Sequence, residues 1–287
     1  MAARGSRGTA VTARQPPHVP DWGIDAFDPA LYLERIGVEP GPPSVDLLEH
    51  VHRGHLAAFP FSNLDVLLGR HPGVGPETVA RQMLHKGTGG YCFEHAQLMA
   101  GALERLGLRV RRRLGRVHSE ENTRTHMSLD VELEGRGWMM DPGFGLSLTG
   151  PIPREDDARR EEFFGTLSLR RRVNDEGTEQ WELYRDEDVQ HITDLLPVVP
   201  TDVRGGHHLT SSLPGAGPFQ TMLIVSRFTE TGHVTITSGA RTLRRPGQDT
   251  VHEELTIAQV IDAVADLGLP IDVETARTLD ERLRELA

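Results

Sequence analysis

The feature that most constrains this chain is a change of hydrophobic period near residue 107. Upstream, apolar residues recur at helical spacing between start and stop signals. Asp28-Pro29 opens one helix, with Asp as N-cap and Pro at the first helical position, and Gly37 ends it. Ser44 caps a second helix that runs through His55. Pro76 to Lys86, closed by Gly87, reads as a third. Cys92 to Leu106, closed by Gly107, reads as a fourth, with Ala96, Met99, Leu103 and Leu106 at helical spacing. Downstream, Leu108 and Val110, then Met127, Leu129, Val131 and Leu133, alternate as half-buried strands do. Trp138 to Asp141 is a short strand stopped by Pro142-Gly143, and Phe164 to Leu169 and Gln180 to Tyr184 show fainter alternation. The glycine- and proline-rich stretch Gly205 to Pro218 separates these from strands over Thr221 to Phe228 and His233 to Thr237. Helices over Thr256 to Leu267 and Glu274 to Leu286 follow. Helices first, strands second and a mixed tail predict an α+β protein of three lobes.

The 287 residues and 37% apolar content suffice for such a core. A net charge of −11 argues against a nucleic-acid binder, which would carry a basic stripe. The one dense basic cluster, Arg109, Arg111, Arg112 and Arg113, reads as a solvated strand face or a local anion contact. No run approaches the roughly 18 apolar residues of a membrane span. Residues 1–20 lack the apolar core of a secretory signal and read as a disordered extension. A single cysteine forbids an intrachain disulfide, and a cytoplasmic location fits.

That cysteine lies in Gly89-Gly90-Tyr91-Cys92-Phe93-Glu94. Two glycines allow a sharp turn, and Cys92 then falls at a helix start. There the helix dipole and free N–H groups favour a thiolate and could stabilise an oxyanion. The alternative is a buried structural cysteine. A nucleophilic cysteine needs a base, and the base an orienting group. His126 begins the clearest alternating strand, and Asp141 ends the next. If a hairpin joins them, its register decides whether they meet. A four-residue loop, Glu132 to Gly135, sets His126 opposite Asp141, whereas a two-residue Gly135-Arg136 loop sets Asp141 opposite Asp130. His95, one helical turn beyond Cys92, is a rival base without an evident acidic partner. His52 and His55 share a helix at metal-ligand spacing but lack a third ligand, so they read as surface histidines, and no metal is expected. The glycines at Gly73 to Gly75 do not form a phosphate loop.

In order along the chain, the segments Gly89 to Glu94, Thr125 to Leu129 and Asp141 to Gly145 resemble the arylamine N-acetyltransferases. Phe59 to Leu64 and Gly217-Pro218-Phe219 agree, and the similarity runs from about residue 25 to the C-terminal helices. The resemblance implies a helical domain over 21–107, a β-barrel domain over 108–210 and an α/β lid domain over 211–287. It also implies a ping-pong reaction with acetyl-CoA as acyl-donor substrate and an arylamine or hydrazine as acceptor. Cys92 would be the nucleophile, His126 its base and Asp141 the group orienting His126. Thr125, Gly143, Phe144 and Phe219 would lie near the CoA and acceptor cleft. Two positions depart from the family pattern: Thr88 stands where Arg is usual and Ala96 where Asn is usual.

The resemblance also admits an amide synthase that joins a polyketide acyl-thioester, CoA-bound or held on a carrier protein, to an arylamine. Cys-His-Asp chemistry alone is equally open to a cysteine protease or transglutaminase, and a non-catalytic acyl-CoA or arylamine-binding relative would keep the fold. Neither a nucleic-acid partner nor a membrane partner is expected.

Overall fold

The computed structural model describes residues 20–215 and 217–287. The expected extension lies, up to residue 19, outside the described residues. The helical part contains α1 (Pro29–Ile36), α2 (Val45–Ala58), α3 (Leu64–Leu67), α4 (Pro76–Val79) and α5 (Cys92–Arg105), with a two-residue strand β1 (Phe61–Ser62) before α3. The capping signals set the ends. The Asp28 carboxylate accepts from the N–H groups of Ala30 and Leu31, Gly37 is left-handed, and Ser44 Oγ accepts from Leu47. α4 continues as wider π-type turns over Ala80–Lys86. α5 is the central element, buried along nearly its whole length from Cys92 to Leu103.

The second part is an antiparallel eight-stranded sheet: β2 (Arg109–Val117), β3 (Arg124–Leu133), β4 (Arg136–Met140), β5 (Ile152–Pro153), β6 (Ala158–Glu162), β7 (Gly165–Val173), β8 (Glu179–Arg185) and β9 (Asp188–Asp194). The order β5-β4-β3-β2-β9-β8-β7-β6 curls so that the edge strands β5 and β6 approach each other. Leu148, Ile152, Leu167, Leu169, Trp181 and Leu183 fill its interior. Helix α6 (Pro200–Ser212) leads to β10 (Ile224–Thr229), β11 (Gly232–Thr237), β12 (Ala240–Arg244) and β13 (Val251–Glu254), then to α7 (Ile257–Asp266) and α8 (Val273–Leu286). β1 adds to the edge of this last sheet by pairing with β10, so the first and third parts share a sheet.

Four expectations need correction. Gly205 and Gly206 do not lie in a loop but inside α6. A Cβ on Gly206 would sit 2.8 Å from Phe93 Cζ and 3.2 Å from the Arg124 carbonyl, so the glycine lets α6 press onto α5 and β3. The β3–β4 hairpin adopts neither register considered. Leu133 pairs with Arg136 around a two-residue Glu134–Gly135 turn with φ of 51° and 76°, the left-handed pair of a type I′ turn. The arginine cluster is not all solvated. Arg112 is buried, bonded to Glu104 through two 2.8 Å contacts and stacked on Trp22, and Arg113 is buried against Asp130 at 3.0 Å. His52 and His55 are fully buried rather than exposed.

One side chain ties the third part to the first. Asn63, buried, donates to the carbonyls of Phe219 (3.0 Å) and Met222 (2.8 Å) and accepts from Ile224 N–H (2.7 Å). Asn63→Ala strands three backbone groups and is expected to cost about 2–4 kcal/mol in urea unfolding, with faster amide exchange over 219–224. Gly206→Ala tests the α6 contact. In an open helix it would gain roughly 1 kcal/mol; here a lowered unfolding midpoint is expected, and a raised one would refute the close packing.

Candidate active site

Cys92 is the first residue of α5, and its entry is built by hydrogen bonds around the preceding turn. Glu94 reaches back to accept from Tyr91 N–H at 3.0 Å, satisfying a free donor of the helix start. A carboxylate there would oppose a thiolate, but His71 faces its other oxygen at 2.6 Å. Burial would lower the His71 pKa; the charge and hydrogen bond of Glu94 outweigh it and raise it, so His71 tends to neutralise Glu94. The Cys92 thiol donates to the Thr125 carbonyl at 3.5 Å. Gly143 has no room for a side chain, since a Cβ would fall 2.5 Å from Cys92 Cα. The turn after Asp141 therefore touches the backbone of the cysteine.

Asp141 follows β4. Extending the register puts it opposite Ser128, two residues from His126 on the same face, so the two meet diagonally across the hairpin. His126 Nε2 and Asp141 Oδ1 are 3.1 Å apart, both buried. The ring N–H points off that line and leaves both atoms without a hydrogen bond. The ion pair stands nonetheless, because Coulomb attraction follows distance rather than that angle. Burial would lower the His126 pKa, but Asp141, and then Cys92, hold it well above the usual histidine range. Burial would raise the Asp141 pKa, but His126 and His191 hold it far below the usual carboxylate range. Both shifts favour the imidazolium–carboxylate form of the pair. Phe144 stands edge-on to His126, with ring centroids 5.1 Å apart.

Cys92, Thr125, His126, Gly143, Phe144 and Phe219 all line one cleft of about 610 Å³. Its other walls include Val117, His118, Arg185, Ile224, His233 and Arg244. Among the described residues no Asp or Glu lines it, and neither Arg185 nor Arg244 pairs with a carboxylate. Burial, Arg244 and Arg185 push the His233 pKa down to about 3.

The rival base is committed elsewhere. His95 Nε2 faces the carbonyls of Gly90 (3.1 Å) and Pro60 (3.3 Å), which can only accept, so Nε2 carries the proton. Nδ1 must then accept from His55 Nε2 (2.8 Å), whose own Nδ1 accepts from the Tyr32 hydroxyl (2.9 Å). This buried chain of one direction pins the Gly90 carbonyl; burial pushes the His95 pKa down to about 4. Thr88 bonds locally to the Gln82 carbonyl, and Ala96 packs in the core; neither lines the cleft.

Sequence reasoning missed His191, on β9, whose Nε2 lies 3.1 Å from Asp141 Oδ2. Its only signal was a histidine at an alternating position of a strand that was not anticipated. His126, Asp141 and His191 are close enough that spacing alone would admit a cation. His191 Nε2, however, donates to Oδ2 and His126 Nε2 stands against Oδ1 as an ion pair, so each carboxylate oxygen is already met by an imidazole.

Comparison with known proteins agrees with this architecture. The profile of the family described as N-acetyltransferase matches residues 44–277. The arylamine N-acetyltransferase / N-hydroxyarylamine O-acetyltransferase of Salmonella typhimurium is 39% identical over 144 residues, 48% of this chain and 51% of that protein, so this match spans about half of the relative's length. The arylamine N-acetyltransferase of Mycolicibacterium smegmatis is 28% identical over 273 residues, 91% of this chain and 98% of that one. The solved structure of the arylamine N-acetyltransferase from Mycobacterium abscessus superposes with a TM-score of 0.85 at 28% identity, covering 94% of this chain and 99% of that one. That of the Mycobacterium marinum enzyme in complex with CoA gives 0.82 at 26%, covering 91% and 100%. With most of its length matched by the family profile and its α+β fold shared with these enzymes, the chain belongs to the arylamine N-acetyltransferase family of acyltransferases.

Proposed function

We propose that this protein transfers an acetyl group from acetyl-CoA to an arylamine or hydrazine by a ping-pong reaction through a thioester on Cys92. The observation that carries the reading is the buried His126–Asp141 pair, whose His126 lines the same cleft as Cys92. Cys92 is the nucleophile, His126 the acid and base, and Asp141 the group that holds His126 charged and oriented.

In the first half-reaction the Cys92 thiolate attacks the thioester carbonyl of the donor. The bond to the CoA sulfur breaks, and CoA leaves with the proton of the His126 imidazolium. His126 is then neutral and can take a proton from the incoming amine as its nitrogen attacks the acyl-Cys92 carbonyl. The amide leaves, and thiolate and imidazolium are regenerated. One thioester replaces another in the first step, so the acyl-enzyme lies close in energy to the donor.

Thr125, Gly143, Phe144 and Phe219 line the same cleft as Cys92, and we assign to them the pantetheine end of the donor and the flat acceptor. Arg185 and Arg244, cationic and unpaired with acids, suit the phosphates of the donor. The relative solved in complex with CoA supports that donor. A cytoplasmic site of action fits an acyl-CoA user, and no helix among the described residues is long and apolar enough to cross a membrane.

Intact-protein mass spectrometry after mixing with acetyl-CoA tests the reading. Wild type is expected to gain one acetyl group, Cys92→Ala none, and His126→Ala to label roughly 100-fold or more slowly. Wild type that stays unlabelled by acetyl-CoA but takes up a longer acyl-thioester would move the assignment to an amide synthase, on a CoA or carrier-protein donor. Indifference to every acyl-CoA, with CoA failing to protect Cys92 from alkylation, would favour a protease or transglutaminase instead. Fast labelling of His126→Ala would remove that residue from its role.

A further inference from the structure

Asp141 carries a second imidazole. His191 is fully buried, and its Nε2 lies 3.1 Å from Asp141 Oδ2, while His126 faces Oδ1 at the same distance. A carboxylate only accepts, so His191 Nε2 bears the proton. Its Nδ1 has no partner among the described residues. Burial, and then the neighbouring charge of His126, lower the His191 pKa although Asp141 opposes them, which keeps the ring a neutral donor. The two imidazole centroids are 4.7 Å apart, and Phe144 lies against both rings, at 5.1 and 5.6 Å.

The sheet explains the meeting. His126 of β3 pairs with Gly115 of β2, which pairs with Thr193 of β9. His191, two residues from Thr193, projects from the same face. Gly115 has no side chain, so nothing from β2 stands between the two rings. The other donor to Oδ2, Ser147 Oγ, lies at 3.4 Å and makes a weaker contact. The remaining titratable groups around the cluster are Cys92 and His95 on α5, His52 on α2 and His118 just beyond β2.

We propose that His191 is a positioning residue: its donation to Oδ2 fixes the carboxylate plane so that Oδ1 stays aimed at His126 Nε2, and the imidazolium stays set against Cys92. The proposal rests on reading Cys92, His126 and Asp141 as the reacting set. Without His191 the carboxylate turns toward other donors and its hold on the imidazolium weakens. A thiolate beside a less firmly held imidazolium then requires a higher pH to form.

The test is the rate of Cys92 alkylation by iodoacetamide against pH, read on the full chain, in which Cys92 is the sole thiol. His191→Phe keeps the ring shape without the donor. It is expected to move the acid-side midpoint up by about one pH unit and to slow alkylation roughly tenfold below it. His191→Gln can place an amide N–H near the Nε2 position and is expected to restore the wild-type midpoint; His191→Asn is one methylene too short and is expected to behave as Phe does. Should the Phe variant fail to fold, the Gln and Asn pair decides. A merely structural residue would lower the thermal midpoints of these variants while leaving the pH midpoint in place, and that result overturns the proposal. A wild-type profile like that of an ordinary free thiol, with no reactive form on the acid side, instead removes the reacting set itself, and the proposal with it.

Discussion

A carboxylate taken out of water must be compensated or protonated, and Asp141 is only 1% exposed. Two imidazoles compensate it, one on each oxygen. One of them has to be cationic, and position decides which. His126 is next to Cys92 and opens on the cleft, so its charge has a second use; His191 has only the carboxylate to serve and is held neutral. Much of the surrounding structure follows from seating this ion. Phe144 closes over the rings, the Pro142-Gly143 turn carries the chain from the carboxylate to the cysteine, and Gly143 meets Cys92 Cα too closely for any side chain. Carboxylate and sulfur are therefore held at a fixed separation by backbone, which is stiffer than any pair of side chains.

The meeting of His126 and Asp141 was legible in the sequence for a reason other than register. In an antiparallel hairpin, residues share a face whenever the turn changes by steps of two, because side chains alternate with period 2. The four-residue loop, the Gly135-Arg136 loop and the Glu134–Gly135 turn that actually forms differ by such steps. All three keep His126 and Asp141 on one face, and only the offset along the strands changes. The offset that forms is diagonal, within reach of an imidazole and a carboxylate. What sequence could fix was parity; the offset came from a turn whose first residue, Glu134, does not advertise a left-handed conformation.

Caps and long periodic runs fixed the helices well, because Asp28, Gly37 and Ser44 act through bonds to their own neighbours. The failures share a different cause: their reasons lie far along the chain. Gly206 is helical because Phe93 and Arg124 leave no space for a Cβ, a contact invisible in a local window. β6 alternates half-buried with exposed positions and β12 is half-buried throughout; neither has a buried residue, so neither shows an apolar stripe in sequence. Arg112, Arg113, His52 and His55 are buried because Glu104, Asp130, Tyr32 and His95 come to meet them or because the core closes over them. A polar residue that folds inward with a distant partner looks, in sequence, like one that faces water.

The same separation of local from global holds for charge. A chain at −11 gives no hint that the cleft holding Cys92 is lined by arginine and histidine and, among the described residues, by no acid. The acids are elsewhere, many of them bound to the arginines of the barrel surface, as in Arg160 with Glu49 and Glu162. Long-range repulsion from the surface charge is screened within about 8–10 Å at ordinary salt, so inside the cleft the local field of Arg185 and Arg244 outweighs it for any anion. Phe219 and Ile224, which line the same cleft, are held in place by neutral hydrogen bonds between Asn63 and their backbone. Salt should therefore weaken the attraction of the cleft for an anion while leaving its shape intact, because the two rest on different forces.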